Sequence, residues 1–140
     1  MKYQKYLYRY ACLLSLVLIY SLTTSCIQKG TDPSVYVKGL SDIATQYNKN
    51  CPKNEANGTT LQSVTFTDST LRYRYTLSDQ AIVTINLDNT RDSIIHNMTD
   101  KLRKFLVKGN CKLECKYVSP NDSSSITIVP KELGDVDSDE

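Results

Sequence analysis

The sequence predicts an α+β fold of two layers: a five-stranded, mainly antiparallel sheet with two helices on one face, in the order α-β-β-β-α-β-β. Three observations carry this expectation. Leu71, Tyr73, Tyr75 and Leu77 alternate with Arg72, Arg74 and Thr76, the period-two signature of a strand with one apolar and one solvated face. Two stretches, around residues 36–47 and 95–106, instead space their apolar residues at helical intervals. The apolar segments are short and separated by turn-forming residues, which favours hairpin connections and a sheet covered by helices on its single apolar face.

Each element has its own signal. Asp32 followed by Pro33 reads as an N-cap and a first helical residue, and Tyr36, Leu40, Ile43, Ala44 and Tyr47 form one stripe. Gly39 weakens the first turns and leaves Ser41 as a later alternative start. Pro52 disfavours helical geometry at Cys51 and stops the helix. Lys53 to Thr60, containing Asn54, Asn57 and Gly58, reads as a loop. Gln62 to Phe66 is the first strand, Thr67-Asp68-Ser69-Thr70 a turn, and Leu71 to Leu77 the second strand.

After a break at Ser78-Asp79-Gln80, the alternation of Ala81, Val83, Ile85 and Leu87 predicts a third strand. Asp88-Asn89-Thr90 offers caps for a second helix, whose stripe is Ile95, Met98, Leu102, Phe105 and Leu106. Asp92 near its start and Arg103, Lys104 and Lys108 near its end suit the helix dipole, with Gly109 as C-cap. Strand four alternates Cys111, Leu113, Cys115 and Tyr117 with Lys112, Glu114 and Lys116. A turn at Pro120-Asn121-Asp122-Ser123 leads to strand five, Ile126 to Val129, ended by Pro130.

The beginning of the chain has a different character. Lys2, Lys5 and Arg9 occur with no acid, and the apolar run Ala11 to Leu22 follows, 12 residues long. A bilayer-spanning helix needs about 20 such residues, whereas a charged start, a short apolar run and small residues before a cut make a secretory signal. The junction Leu22-Thr23-Thr24-Ser25-Cys26 resembles a bacterial lipoprotein signal, in its looser form ending in Ser-Cys like the lipoproteins of Bacteroidota-type bacteria. That resemblance implies cleavage before Cys26 and attachment of two or three acyl chains there, palmitate among them. It implies an exported protein anchored to the outer membrane, facing the periplasm or the medium. Two or more acyl chains give a stable anchor, at about 0.8 kcal/mol per buried methylene.

The expected organisation is therefore a signal peptide over 1–25, a lipidated tether over 26–34, one domain over 35–130 and an acidic disordered tail over 131–140. The tail expectation rests on five acids between Glu132 and Glu140. Cleavage would leave 115 of the 140 residues, enough for one core. The leader holds three of the 17 basic residues and none of the 15 acids, so the remainder carries 14 against 15. That balance removes the argument for nucleic-acid binding.

No constellation for chemistry stands out. His96, the single histidine, lies within the predicted second helix with no oriented nucleophile or acid to serve, so a structural role is expected. No Gly-rich phosphate loop, serine elbow or paired zinc-ligand motif is present, and no catalytic residue, cofactor or metal is assigned. Asp68-Ser69-Thr70 and Asp92-Ser93-Ile94 resemble the short sequence that Bacteroidota-type bacteria O-glycosylate, which makes Ser69 and Ser93 candidate sites, placed on a hairpin tip and in a helix's first turn. Arg72, Arg74 and Thr76 form a cationic strip open to an acidic partner or simply to solvent. The stretch Asn48 to Leu77 resembles a motif of small exported bacterial proteins of unassigned role, which implies the two-layer fold and no activity.

With Cys26 acylated and Cys12 lost with the leader, Cys51, Cys111 and Cys115 remain as disulfide candidates in an oxidising compartment. Cys111 and Cys115 are about 13 Å apart along one strand, beyond the roughly 7 Å that a bridge spans. Cys51 is then one partner. If both helices end at one rim of the sheet, Cys51–Cys111 is favoured over Cys51–Cys115.

The leading expectation is a non-enzymatic accessory lipoprotein of the cell envelope that binds a protein or glycan at its sheet face or edge. A small hydrolase with an unfamiliar site and a structural subunit of an envelope complex are the alternatives.

Overall fold

The computed structural model describes residues 32–136 apart from 56 and 57. The expected leader and Cys26 lie outside the described residues, as does Asp137 to Glu140 of the acidic tail. Ten elements follow in order: α1 (Pro33–Asn48), β1 (Lys53–Asn54), β2 (Thr60–Thr67), β3 (Thr70–Thr76), α2 (Asp79–Thr84), α3 (Leu87–Asn97), α4 (Asp100–Lys108), β4 (Lys112–Val118), β5 (Ser123–Ile128) and a 3-10 turn (Pro130–Glu132). The α+β expectation holds, with five strands in the spatial order β1-β2-β3-β4-β5. Three of the four pairings are antiparallel, and β3 and β4 are parallel. Among the described residues no helix is long and apolar enough to cross a membrane.

Helix α1 begins where the sequence places it. The Asp32 carboxylate accepts from Ser34 N at 3.0 Å, which holds its own pKa below the usual range, and Pro33 opens the helix. Gly39 does not delay the start; its role is close approach. A Cβ there would lie 2.3 Å from the Phe105 ring, so glycine lets α4 pack directly on α1. The two helices run antiparallel, because Tyr36 in the first turn of α1 meets Phe105 in the last turn of α4, ring centroids 6.0 Å apart.

The predicted third strand is corrected. Ala81 to Leu87 forms α2 and the start of α3. Ser78 Oγ accepts from Ala81 N at 3.2 Å and caps a helix that competes with the extended form. Of this segment only Ile82 is buried, while Val83 is 75% exposed. The fifth strand comes instead from Lys53–Asn54, within the expected loop, which pairs with Leu61 and Thr60. The predicted second helix is two helices. Asn86 Oδ1 accepts from Asn89 N, and Thr99 Oγ1 accepts from Leu102 N, so a second cap breaks the helical run after Asn97. Three helices thus join β3 to β4, and a crossover of that length returns the chain to the same end of the sheet, as a parallel pair requires.

The hairpin at Asp68-Ser69 is as expected, with both residues at positive φ (51° and 54°), the left-handed pair that matches the twist of the flanking strands. Gly109 caps α4 in a right-handed conformation, and Asn110 (φ 50°) takes the left-handed position after it. The core joins Leu40 and Ala44 of α1, Leu106 of α4, and Val64, Leu71, Leu113, Ile126 and Ile128 of the sheet.

The domain runs past Pro130. Leu133 is 4% exposed, Glu132 Oε2 accepts from Val129 N at 2.8 Å, and Glu132 pairs with Arg91. The Val129 amide and the Arg91 guanidinium hold the Glu132 carboxyl below its usual pKa. The expectation of disorder from residue 131 therefore fails at its first three residues, which the core and Arg91 hold in place.

Candidate functional site

The alternating face of β3 lies as the sequence predicts. Leu71 and Leu77 are buried, Tyr73 and Tyr75 share their face, and Arg74 is exposed on the other. The two tyrosines are only half-buried, however, and this separates a packed core from a site. Tyr73 and Tyr75 stack 6.4 Å apart with their planes 12° from parallel. Tyr75 stacks in turn on Tyr117, its register partner on β4, at 5.3 Å. Tyr47, in the last turn of α1, meets Tyr73 edge-on at 6.1 Å. Such pairs contribute about 0.5–1.5 kcal/mol beyond their burial.

These four rings, with Leu113 and Cys115, floor an open groove of about 320 Å³. Its far wall is the broken joint between α3 and α4, formed by Ile94, Asn97, Met98, Thr99 and Leu102. The groove lies beside that break. At this break Thr99 caps α4 and turns the chain, and Met98, Thr99 and Leu102 face Tyr73, Tyr75 and Tyr117 across the groove. Of the five tyrosines after Cys26, four line this groove.

The chemistry available there is adhesive. Burial pushes the Cys115 thiol up to about 12, so it is protonated and a poor nucleophile at neutral pH. Burial likewise raises Tyr117 to about 12 and lifts Tyr73 and Tyr75 higher still, keeping their hydroxyls as neutral hydrogen-bonding groups. His96 is exposed on α3 and is not part of the lining.

The other sequence candidates fall elsewhere. Ser69 is exposed at the hairpin tip as expected. Ser93 is exposed too, but it sits midway along α3, where its Oγ accepts from Asn97 Nδ2 at 3.2 Å, and not in a first turn. On the open face of the sheet Arg72 is taken up by Glu114 at 2.8 Å and by Thr67, so the cationic strip is interrupted at its first member. Arg74 lies beside Lys116 in the parallel register.

Cys51, Cys111 and Cys115 are free thiols. The pairing of Cys51 with Cys111 presumes that both helices end at one rim, and the antiparallel packing of α1 and α4 puts their C-terminal ends at opposite rims. Cys51 precedes β1, three strands from β4, which places it about 14 Å from Cys115 across the sheet and farther from Cys111, against a limit of about 7 Å. Alkylation of the native protein at pH 8 should label Cys51 readily and leave Cys111 and Cys115 unmodified until denaturant is added, without reductant. A Cys51–Cys111 or Cys51–Cys115 peptide in a non-reducing map would contradict this arrangement.

No protein-family model and no curated protein matches the chain. Two solved structures share its fold. One is a Pseudomonas aeruginosa protein assigned as secreted, with a TM-score of 0.63 and 14% identity over 74% of this chain and 97% of that one. The other is the pilotin of the type 2 secretion system of Vibrio vulnificus, with a TM-score of 0.58 and 10% identity over 76% of this chain and 99% of that one. At these identities the likeness is one of fold.

Proposed function

We propose that this chain is an accessory lipoprotein of the bacterial cell envelope, acylated at Cys26, that holds an apolar segment of a partner protein in the tyrosine-floored groove. The observation that carries the reading is the groove itself. Four aromatic rings and the side chains of Ile94, Met98 and Leu102 line it, and none of the seven belongs to the fully buried core. Tyrosine suits such a surface, since it offers a large apolar body and a hydroxyl that stays paired with water or ligand. A pilotin sharing the fold supports an envelope setting with a protein partner. The lipoprotein-like junction supports the tether.

A photo-reactive phenylalanine analogue at Asn97, an exposed lining residue, tests the groove in living cells. One discrete adduct is expected, absent when the probe is moved to Val83 and lost in Met98→Glu at unchanged protein level. Equal labelling from both positions would sink the reading. The tether is tested apart from it: intact mass of the native amino terminus should show acylated Cys26, and Cys26→Ser should move the protein from the membrane to the soluble fraction.

A further inference from the structure

Helix α3 is attached to the domain unlike its neighbours. Helices α1 and α4 bury Tyr36, Leu40, Ala44 and Leu106, whereas no residue of α3 is buried. Ile94, Ile95 and the adjoining Met98 lean on the core and stay half-buried. Two extended residues flank the helix at each end, Ile85 and Asn86 before it and Met98 and Thr99 after it. Asn86 caps α3 and Thr99 caps α4 from within these joints. A change of angle at Ile85 or Met98 therefore leaves both caps and all intrahelical hydrogen bonds in place. Hinges are commonly a few element-terminal residues of this kind.

Polar side chains of α3 largely serve α3 itself: Thr90 Oγ1 donates to Asn86 O, and Asn97 Nδ2 donates to Ser93 O. Two polar ties that reach beyond it share one anchor. Arg91 pairs with Glu132, and Arg103 Nη2 donates to Ile95 O at 2.8 Å. Glu132 accepts in turn from Val129 N, and Arg103 Nη1 donates to the carbonyl of Leu133, whose side chain is buried. Residues 129–133 thus clasp α3, and none of the groups involved lines the groove.

We propose that α3 is a hinged lid on the tyrosine-floored groove, clasped in the free protein by residues 129–133 and swung aside to admit the partner's apolar segment. The proposal rests on the reading of the groove as a binding site and adds how entry is controlled. Ile94, Asn97 and Met98 are the moving part of the wall, while the tyrosines and Leu102 stay with α1, the sheet and α4. Opening gives up the clasp and the part burial of Ile94, Ile95 and Met98, so the closed form dominates in the free protein. An apolar segment in the widened groove replaces those contacts and shifts the balance toward the open form.

Two buried thiols report on opening without any partner. Cys115 lies in the groove lining, whereas Cys111 is enclosed at the far end of α4 beside Gly109. Alkylation kinetics are measured in urea well below the unfolding midpoint, after Cys51 has reacted. Cys115 should be modified faster than Cys111 and with a weaker urea dependence, because opening exposes less surface than unfolding. Glu132→Gln loosens the clasp while its amide oxygen still accepts from Val129 N, and should speed Cys115 by about two- to fivefold. Val64→Ala, on a buried position of β2 that opening leaves intact, should speed Cys111 roughly tenfold and leave Cys115 unchanged. Equal rates with equal urea dependence at the two thiols overturn the lid, as does an equal effect of Val64→Ala on both. A Glu132→Gln protein in which Cys115 reacts no faster overturns the clasp and the proposal with it. These rates need no partner, so they stand apart from the Asn97 adduct, which alone decides whether the groove is occupied.

Discussion

Leu106→Ala should lower the unfolding free energy by about 2–5 kcal/mol, as truncation of a fully buried leucine does. Leu106 is fully buried on α4, in the same core cluster as Leu40, Leu71 and Ile128. Removing its side chain takes away transfer free energy and leaves a cavity that flanking helices and sheet fill only in part. Against a typical total of about 5–15 kcal/mol, such a loss moves the urea midpoint a long way. Val83→Ala is the matched control. Val83 is 75% exposed on α2, so its truncation should change stability by under about 0.5 kcal/mol. Had Ala81 to Leu87 been the inward-facing strand that its alternation suggests, Val83 would behave as Leu106 does.

Arg103→Ala should cost about 1.5–3 kcal/mol, because two charge-assisted hydrogen bonds are lost together. Arg103 Nη1 donates to Leu133 O and Nη2 to Ile95 O, each at 2.8 Å, so one guanidinium binds α3, α4 and the C-terminal segment. Arg103→Lys should recover little of the loss, since a single ammonium lacks the fork that reaches both carbonyls. Besides urea titration, faster amide exchange around Leu133 in Arg103→Ala would locate the effect; unchanged exchange there would mean that Arg103 stabilises the fold some other way.

The contrast between Val83 and Leu106 also shows what the sequence makes legible. Periodicity identifies a pattern, but where Ala81, Val83, Ile85 and Leu87 are concerned, caps decide the structure. Ser78, Asn86 and Thr99 each precede an aspartate in the following helix's first turn, Asp79, Asp88 and Asp100, and each accepts from an amide three residues on. Read as three helix starts, these triplets foretell three helices and hence the parallel pair. The β2–β3 hairpin, α1 and β4–β5 were legible because local turn chemistry and apolar pattern agree there. β1 was not, since two residues paired at a sheet edge carry no periodicity.

The site was half legible. Tyr73, Tyr75 and Tyr117 fall on the face that the alternation predicts, but alternation cannot say whether a helix lies over them. The choice of tyrosine over leucine at three neighbouring positions was the available sign that this face stays partly wet. The opposite wall depends on the Thr99 break, and so did not follow from a single helical stripe. The cysteine pairing was illegible for a related reason: it turns on the relative direction of α1 and α4, which only tertiary packing at Gly39 and Phe105 determines.

The parallel contact at the centre of the sheet governs how the chain reaches this state. Arg72 and Glu114, which face each other across β3 and β4, are 42 residues apart in sequence. The β2–β3 and β4–β5 hairpins close short loops and can form within microseconds. Their joining must wait until the intervening helices have ordered and the entropy of closing that long loop has been met. A folding chain therefore holds its first hairpin with the β3 edge unpaired until the last strands arrive. In that interval its exposed row of Leu71, Tyr73 and Tyr75 is open to a holding chaperone or to aggregation.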